Sequence, residues 1–554
     1  MSLLNAEAAG ERSWLRHYPA GVQWAQTITT STVSELLSAS AHRWPERLAL
    51  EHGAQRWSYR QLDDVVTRLA RTLAAQSLAR PGAVVALWMA NRPEQVLYAL
   101  AALRAGATLV LLSPLDAPAT QAGKLADCGA SVLVADHALW TPMTHVLAGT
   151  PLQTLIHVGA EDEPVDTPPR LCLLRSDHLL AADVPQAALP PIDADMPALL
   201  QYTGGTTGVP RAAVLTHGNL TAACEQYWHI THGAPAILED GRETLLLCLP
   251  LFHIYAFTAN LLFGLRLGAS ILLQARFDAA TVIACVGERR VTMFSGVPTM
   301  YALLIDACAG ARPDLSSLRF CLSGGAPLPG ETHRAFETLT GLRLTEGWGM
   351  TETASAGTYA PPTGMVKIGS CGLPIPGVDL RLVDLDDFDR PAAAGAAGEL
   401  CIRGPNVMRN YLGQVPHLQG VFTADGYLRT GDIAHIDEDG YVHIVDRLKD
   451  MMLCGGYNVY PRAIEEALYA HPAVQDALVI GIPDAIRGQV PKAFVQLRPQ
   501  AAGFSLDELK AFLRGRVGRH EMVQALEFRA ELPRTAVGKL SKKALLEGAG
   551  EGAP

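Results

Sequence analysis

The residues with the most chemistry in them form one short run, Tyr202-Thr203-Gly204-Gly205-Thr206-Thr207-Gly208-Val209-Pro210-Arg211. Its glycines let backbone N–H groups close on an anion, its threonines donate hydroxyls, and Arg211 brings a positive charge. The apolar residues Ala198-Leu199-Leu200 stand just before it, so the run reads as a loop leaving a buried element. A polyphosphate is the ligand that suits this composition. No Gly-Lys-Ser/Thr closes the loop, which separates it from the Walker A pattern and argues against the usual cleavage between β- and γ-phosphates.

Four more clusters follow along the chain. Ser323-Gly324-Gly325-Ala326-Pro327 offers a bare backbone wall on which a flat base can lie, and equally a plain strand-to-helix turn. Thr345-Glu346-Gly347-Trp348-Gly349-Met350-Thr351-Glu352-Thr353 combines an aromatic face for stacking, a hydroxyl for a phosphate oxygen at Thr351 and a carboxylate for Mg²⁺ at Glu352. Its plainer reading is a glycine-rich turn around a core tryptophan. In Arg429-Thr430-Gly431-Asp432 the carboxylate can accept two sugar hydroxyls or simply serve a turn. Leu532-Pro533-Arg534-Thr535-Ala536-Val537-Gly538-Lys539 is a loop with a terminal cation, and a lone lysine there is ordinarily a solvated charge.

Elements must hold these clusters in place. Ser58 and Gln61 form a capping-box pattern ahead of Leu62, Val65, Val66, Leu69 and Leu73, which recur at helical spacing. Pro81-Gly82 ends that helix, and residues 83–87 read as a buried strand. A helix over 93–104 and a strand over 108–112 come next. This alternation predicts an α/β fold, with parallel-rich sheets covered by helices in a large N-terminal domain. The pattern restarts after about residue 450, with strands near 477–482 and 493–497 and a helix capped by Ser505 and Glu508. We therefore expect residues 1–448 to form the large domain and residues 449–554 a small, mobile α+β domain carrying Lys539, joined at Arg447-Leu448-Lys449-Asp450.

At 554 residues the chain exceeds one ordinary core, and 49% hydrophobic content suits a globular enzyme. A net charge of −10 with mixed signs gives no footprint for nucleic acid. Ten scattered cysteines without CxxC or metal-type spacing read as small buried hydrophobes in a reducing cytoplasm. No leader with a basic n-region is evident at the first residues. In the apolar stretch 244–275, His253 and Arg266 leave uncharged pieces shorter than the ~20 residues of a spanning helix. Core strand and helix are expected there. The location implied is cytoplasmic, with peripheral contact at the inner face of a membrane left open.

Taken in order, the five clusters resemble those of the AMP-forming acyl-CoA synthetases of the adenylate-forming superfamily, which also includes luciferases and peptide-synthetase adenylation domains. The resemblance runs from Trp14-Leu15-Arg16-His17-Tyr18-Pro19 to Lys539, and it is similar in particular to bacterial long-chain fatty-acid–CoA ligases. It implies ATP and CoA as co-substrates, Mg²⁺ as cofactor and a fatty acid as partner. Thr203, Gly204, Gly205, Thr206, Thr207, Gly208 and Arg211 would then hold phosphates, with Gly324, Gly325, Ala326 and Trp348 around adenine. Thr351 would touch the α-phosphate, Glu352 would hold Mg²⁺, and Asp432 and Arg447 would bind ribose. Lys539 would approach the acyl carboxylate and α-phosphate, Lys449 would be the hinge, and Gly455, Gly456 and Tyr457 would meet CoA.

Three departures from relatives stand out: Gly204 in place of serine, Arg211 in place of lysine and Trp348 in place of tyrosine, the last keeping stacking while losing a phenol. Residues 250–262 carry no aspartate for a substrate ammonium, so an amino acid is disfavoured. The segment suits an apolar acid, with His253 near its carboxylate, as a catalytic group or a wall residue, and Phe257 as an acyl gate. Leu251-Phe252-His253-Ile254-Tyr255-Ala256 is equally similar to the 4-coumarate–CoA ligase branch, which keeps aryl and medium-chain acids as alternatives. A carrier protein as acyl acceptor is a further one.

Overall fold

Runs such as Val84–Trp88, Thr108–Leu112 and Val132–Asp136 are apolar at nearly every position, as suits strands covered on both faces. The computed structural model describes residues 12–159, 170–183, 188–203, 210–310, 313–414, 420–455, 457–484, 486–535 and 539–549. In it these strands form the middle of an eight-stranded sheet. Its order is Asn410–Tyr411, Arg211–Thr216, Pro197–Thr203, Thr108–Leu112, Val84–Trp88, Val132–Asp136, Thr154–Val158 and Cys172–Arg175. Pairing is parallel from Pro197–Thr203 outward to Cys172–Arg175. Pro197–Thr203 and Arg211–Thr216 are antiparallel and set Thr203 opposite Arg211.

A second sheet has six parallel strands, Leu48–His52, Ser270–Leu273, Thr244–Leu247, Met293–Gly296, Phe320–Ser323 and Leu344–Trp348. Short antiparallel strands extend both of its edges. Two helices fill the space between the sheets. Tyr59–Ala75 starts at the expected Ser58/Gln61 capping box and packs on the second sheet. Pro93–Arg104 packs on the first and on Tyr59–Ala75. Every residue of Pro93–Arg104 except Glu94 is buried, so this helix is core on all sides.

The apolar stretch 244–275 resolves as expected into the strand Thr244–Leu247, helical turns from Ile254 to Leu267 and the strand Ser270–Leu273. Its middle turn, Phe257–Leu262, is π-helical. No helix among the described residues is long and apolar enough to cross a membrane. Cys128, Cys224, Cys248, Cys308, Cys321, Cys371, Cys401 and Cys454 are buried, as expected of small hydrophobes. Cys172 departs from that expectation, because its strand is the outermost of the sheet and leaves the thiol exposed, and Cys285 is half-buried.

An antiparallel sheet of Asp379–Val383, Gly398–Arg403, Leu428–Ile436 and Val442–Arg447 completes the large domain. The smaller C-terminal domain has its own five-stranded sheet and a separate core that includes Ile464, Leu468, Val479, Val495 and Leu509. Its helix Leu506–Leu513 carries the expected Ser505/Glu508 capping box. The helix Pro461–Tyr469 has no side-chain cap of its own; Asp446 Oδ2, on the last strand of the large domain, accepts from Arg462 N at 2.9 Å instead.

Asn91 ties the two large sheets together just ahead of His253. Its Nδ2 donates to Leu249 O at 2.9 Å and Gln274 O at 3.1 Å, and its Oδ1 accepts from Leu251 N at 2.8 Å. Replacing Asn91 by Leu strands three backbone groups at a site 4% exposed. We expect a loss of about 3 kcal/mol or more, read as a lowered first transition in thermal unfolding. An unchanged transition would mean that packing alone fixes how the sheets meet.

Candidate functional site

Ligands of open α/β sheets gather beyond the carboxyl ends of the strands, and here Phe320–Ser323 and Leu344–Trp348 end at a cleft of about 1440 Å³. Thr203, Arg211, His253, Gly324, Gly325, Ala326, Trp348, Thr351, Glu352, Asp432, Arg447, Lys449 and Lys539 all line it. Three sequence-predicted residues do not. Phe257 is 1% exposed and packs within the core. Gly455 and Tyr457 lie off the cleft, with Tyr457 63% exposed on the small domain and its ring against His520. Gly204, Gly205, Thr206, Thr207, Gly208 and Gly456 lie outside the described residues.

The backbone wall needs its glycines. A Cβ on Gly324 would lie 3.1 Å from Cζ of Tyr255, and one on Gly325 would lie 2.9 Å from Cε of Lys539. Gly325 also has φ +82°, a conformation disfavoured for other residues. Lys539 therefore rests against this wall from the small domain. Burial, then the Arg447 charge, brings its ammonium down to about 8, with Asp432 opposing.

Trp348 does more than present a ring. Its Nε1 donates to Asp432 Oδ2 at 2.8 Å, while Arg447 Nε meets Asp432 Oδ1 at 2.9 Å. Asp432 and Arg447 are cross-strand partners, and Asp432 is 2% exposed. The carboxylate is thus held on both oxygens, in a fixed plane, facing the same space as the Gly324–Gly325 wall.

Glu352 is 5% exposed, and burial raises its pKa. Tyr411 OH donates to its Oε1 at 2.5 Å, and the guanidinium of Arg211 lies 4.1 Å over the Tyr411 ring. Arg211 Nε is buried without a hydrogen-bond partner among the described residues. Asn406 braces the same loop, donating from Nδ2 to Thr353 O at 3.0 Å and Ala356 O at 2.6 Å. Among the described residues no cluster of three or more His, Cys, Asp or Glu could cage a metal. One carboxylate beside an unpaired guanidinium nitrogen fits Mg²⁺ that arrives on phosphates, since that ion usually takes one or two protein carboxylates plus phosphate oxygens.

His253 Nδ1 accepts from Tyr255 N at 3.3 Å, which leaves the ring proton of the neutral imidazole on Nε2. Burial, reinforced by Lys539, pushes its pKa down to about 3. With the ring neutral, the proton on Nε2 is the one it can donate.

Sequence reasoning missed Tyr411 and Asn406. Neither sits in a motif; each matters through a partner about fifty residues or more away, Glu352 for one and the 353–356 backbone for the other. It also missed the Trp348 donor.

The chain is similar to known proteins along most of its length. The family model described as AMP-binding enzyme matches residues 37–412, and the one described as AMP-binding enzyme C-terminal domain matches residues 463–539. The chain is 33% identical to a long-chain-fatty-acid–CoA ligase of Bacillus subtilis, over 97% of this chain and 98% of that one. It is 36% identical to a feruloyl-CoA synthase of Amycolatopsis sp, over 90% and 95%. A solved structure of o-succinylbenzoate CoA synthetase from Bacillus subtilis with ATP and magnesium ion superimposes with TM-score 0.76 at 28% identity, covering 91% of this chain and 98% of that one.

Replacing Tyr411 by Phe removes a hydrogen bond that lowers the Glu352 pKa, so that pKa rises further. A carboxyl whose folded pKa lies above its unfolded value destabilises the fold as pH rises through that window. The unfolding midpoint of the variant should therefore fall further below wild type at pH 8 than at pH 5. Equal differences at both pH values would place the cost outside the ionised carboxylate.

Proposed function

Because the chain belongs to the AMP-binding enzyme family, we propose that its cleft activates a fatty acid, of the long-chain class, as acyl-AMP and passes the acyl group to CoA. The coarser part, an AMP-forming acid–CoA ligase working through an adenylate, rests on the family and its relatives. The observation that carries the residue roles is the placing of Lys539, Asp432, Glu352 and the Gly324–Gly325 wall around one cavity.

In this reading the adenine lies between the glycine wall and Trp348, and Asp432 accepts the ribose hydroxyls with Arg447 beside it. Mg²⁺ on Glu352 supplies charge neutralisation for the phosphates when bound. Thr203, Arg211 and Thr351 contact phosphate oxygens. The acid's own oxygen attacks the α-phosphorus and pyrophosphate leaves, so no protein nucleophile is needed. Lys539 offsets the charge that develops on the reacting oxygens, and His253 donates from Nε2 toward the acid. The boundary falls between 1–448 and 449–554. Rotation about Lys449 then withdraws Lys539 and brings the Gly455 and Tyr457 surface to CoA, whose thiol attacks the mixed anhydride.

The long-chain choice is supported by the near-full-length similarity to the Bacillus subtilis ligase and by the absence of a carboxylate in residues 250–262. A second reading, an aryl acid, has its own observation: Tyr227, Tyr255 and Tyr359 line the cleft, and an aromatic lining suits a ring.

CoA-dependent AMP formation across acetate, palmitate, oleate, 4-coumarate and benzoate separates the two. A maximum at long chains giving acyl-CoA upholds the first; a maximum at an aryl acid replaces it, and acyl-AMP accumulating without thioester points to a carrier protein as acceptor. Lys539→Ala should lower acyl-AMP formation by roughly 10²–10³. In wild type, kcat/KM for ATP should fall as pH rises through about 8, where Lys539 in the free enzyme loses its proton. Lys539→Arg should lack that limb, and its persistence would assign the limb to another group.

A further inference from the structure

We propose that Arg534 is the positioning residue that seats Lys539 in the cleft, by spanning the two domains through Thr299 and Asp476. The proposal rests on the acyl-adenylate reading for what Lys539 does there. Arg534 and Lys539 share one hairpin: Arg534 bridges Leu540 in an antiparallel pair, Thr535 N donates to Lys539 O at 2.6 Å, and Lys539 N donates to Thr535 Oγ1 at 3.2 Å. The guanidinium and the lysine therefore move as one unit.

The two terminal nitrogens of Arg534 go to different domains. Nη1 donates to Thr299 Oγ1 at 2.9 Å, in the first turn of the large-domain helix Pro298–Ala307. Nη2 meets Asp476 Oδ2 at 2.5 Å, on the small-domain strand Val474–Asp484. A guanidinium is planar, so two bonds made at once fix an angle as well as a distance. A lysine in this position would make a point contact without that constraint.

Lys539 needs such a brace. Among the described residues no carboxylate forms an ion pair with its Nζ, and burial together with Arg447 disfavours its charge. Electrostatics at the lysine head thus favours withdrawal while no nucleotide is bound. The Thr299 bond, made five residues away, opposes this. When the small domain turns, the Asp476 arm travels with the hairpin and the Thr299 arm breaks. Thr299 therefore weights the adenylating orientation specifically.

The test compares Thr299→Val, Arg534→Ala, Arg534→Lys and the Thr299→Val/Arg534→Ala double variant in two half-reactions. One is pyrophosphate release from ATP and acid; the other is thioester formation from synthetic acyl-AMP and CoA. Losing the bond of about 1 kcal/mol should slow the first half-reaction roughly fivefold in Thr299→Val, with KM for ATP unchanged and the second half-reaction unchanged or faster. Arg534→Lys should resemble Arg534→Ala, and the double variant should be no slower than Arg534→Ala alone. Hydrogen–deuterium exchange supplies a readout independent of catalysis: Thr299→Val should raise exchange in peptides covering 298–307 and 532–540.

Wild-type rates in Thr299→Val, a parallel fall of both half-reactions in Arg534→Ala, or unchanged exchange would overturn the proposal. Absence of pyrophosphate release in the wild type with every acid would overturn the acyl-adenylate reading instead, and the exchange result would still judge the bridge.

Discussion

Much of the site follows from keeping one carboxylate, Glu352, nearly out of water. An ionised carboxylate at 5% exposure is costly unless it is paired and hydrogen-bonded. Its partners come from distant parts of the chain: a hydroxyl from Tyr411, and the charges of Arg447 and Arg211. To bring Tyr411 there, residues 410–411 pair antiparallel with the strand that begins at Arg211. Arg211 in turn lies over the Tyr411 ring. Satisfying Glu352 thus joins the edge of the eight-stranded sheet to the loop after Leu344–Trp348, and Arg211 and Glu352 reach one cavity as a result.

Asp432 follows the same logic with a different outcome. Its two oxygens are taken by Trp348 and Arg447, each through a directed bond. The carboxylate is held in orientation before any ligand arrives, so little ordering remains to be done on binding. Tyrosine at 348 would stack as well, but its hydroxyl lies at the far end of the ring. The indole N–H, placed on the ring flank, serves stacking and orientation together.

The parts of this arrangement that were legible in the sequence are those with local causes. Capping boxes at Ser58 and Ser505 involve residues three apart, and both were readable. The glycine wall was readable because bare backbone after a strand has few explanations once five clusters occur in order. Tyr411 was not, because nothing near it in sequence distinguishes it from any tyrosine on a short strand, and its partner is 59 residues away. Phe257 was placed at a gate from the resemblance to long-chain relatives, which have an aromatic there. It opens the π-helical turn Phe257–Leu262 and packs in the core. Cys172 was misjudged because hydrophobic patterning does not reveal which strand of a sheet is outermost.

The cap that Asp446 supplies to Arg462 N ties the small domain to the last strand before it. The strands Val442–Arg447 and Met452–Cys454 belong to different sheets, yet the helix Pro461–Tyr469 is completed by a side chain from the first of them. Such a cap is worth about 1 kcal/mol. Turning the small domain away from that strand would leave Arg462 N without this acceptor. A helix terminus would then carry part of the cost of moving one domain against the other.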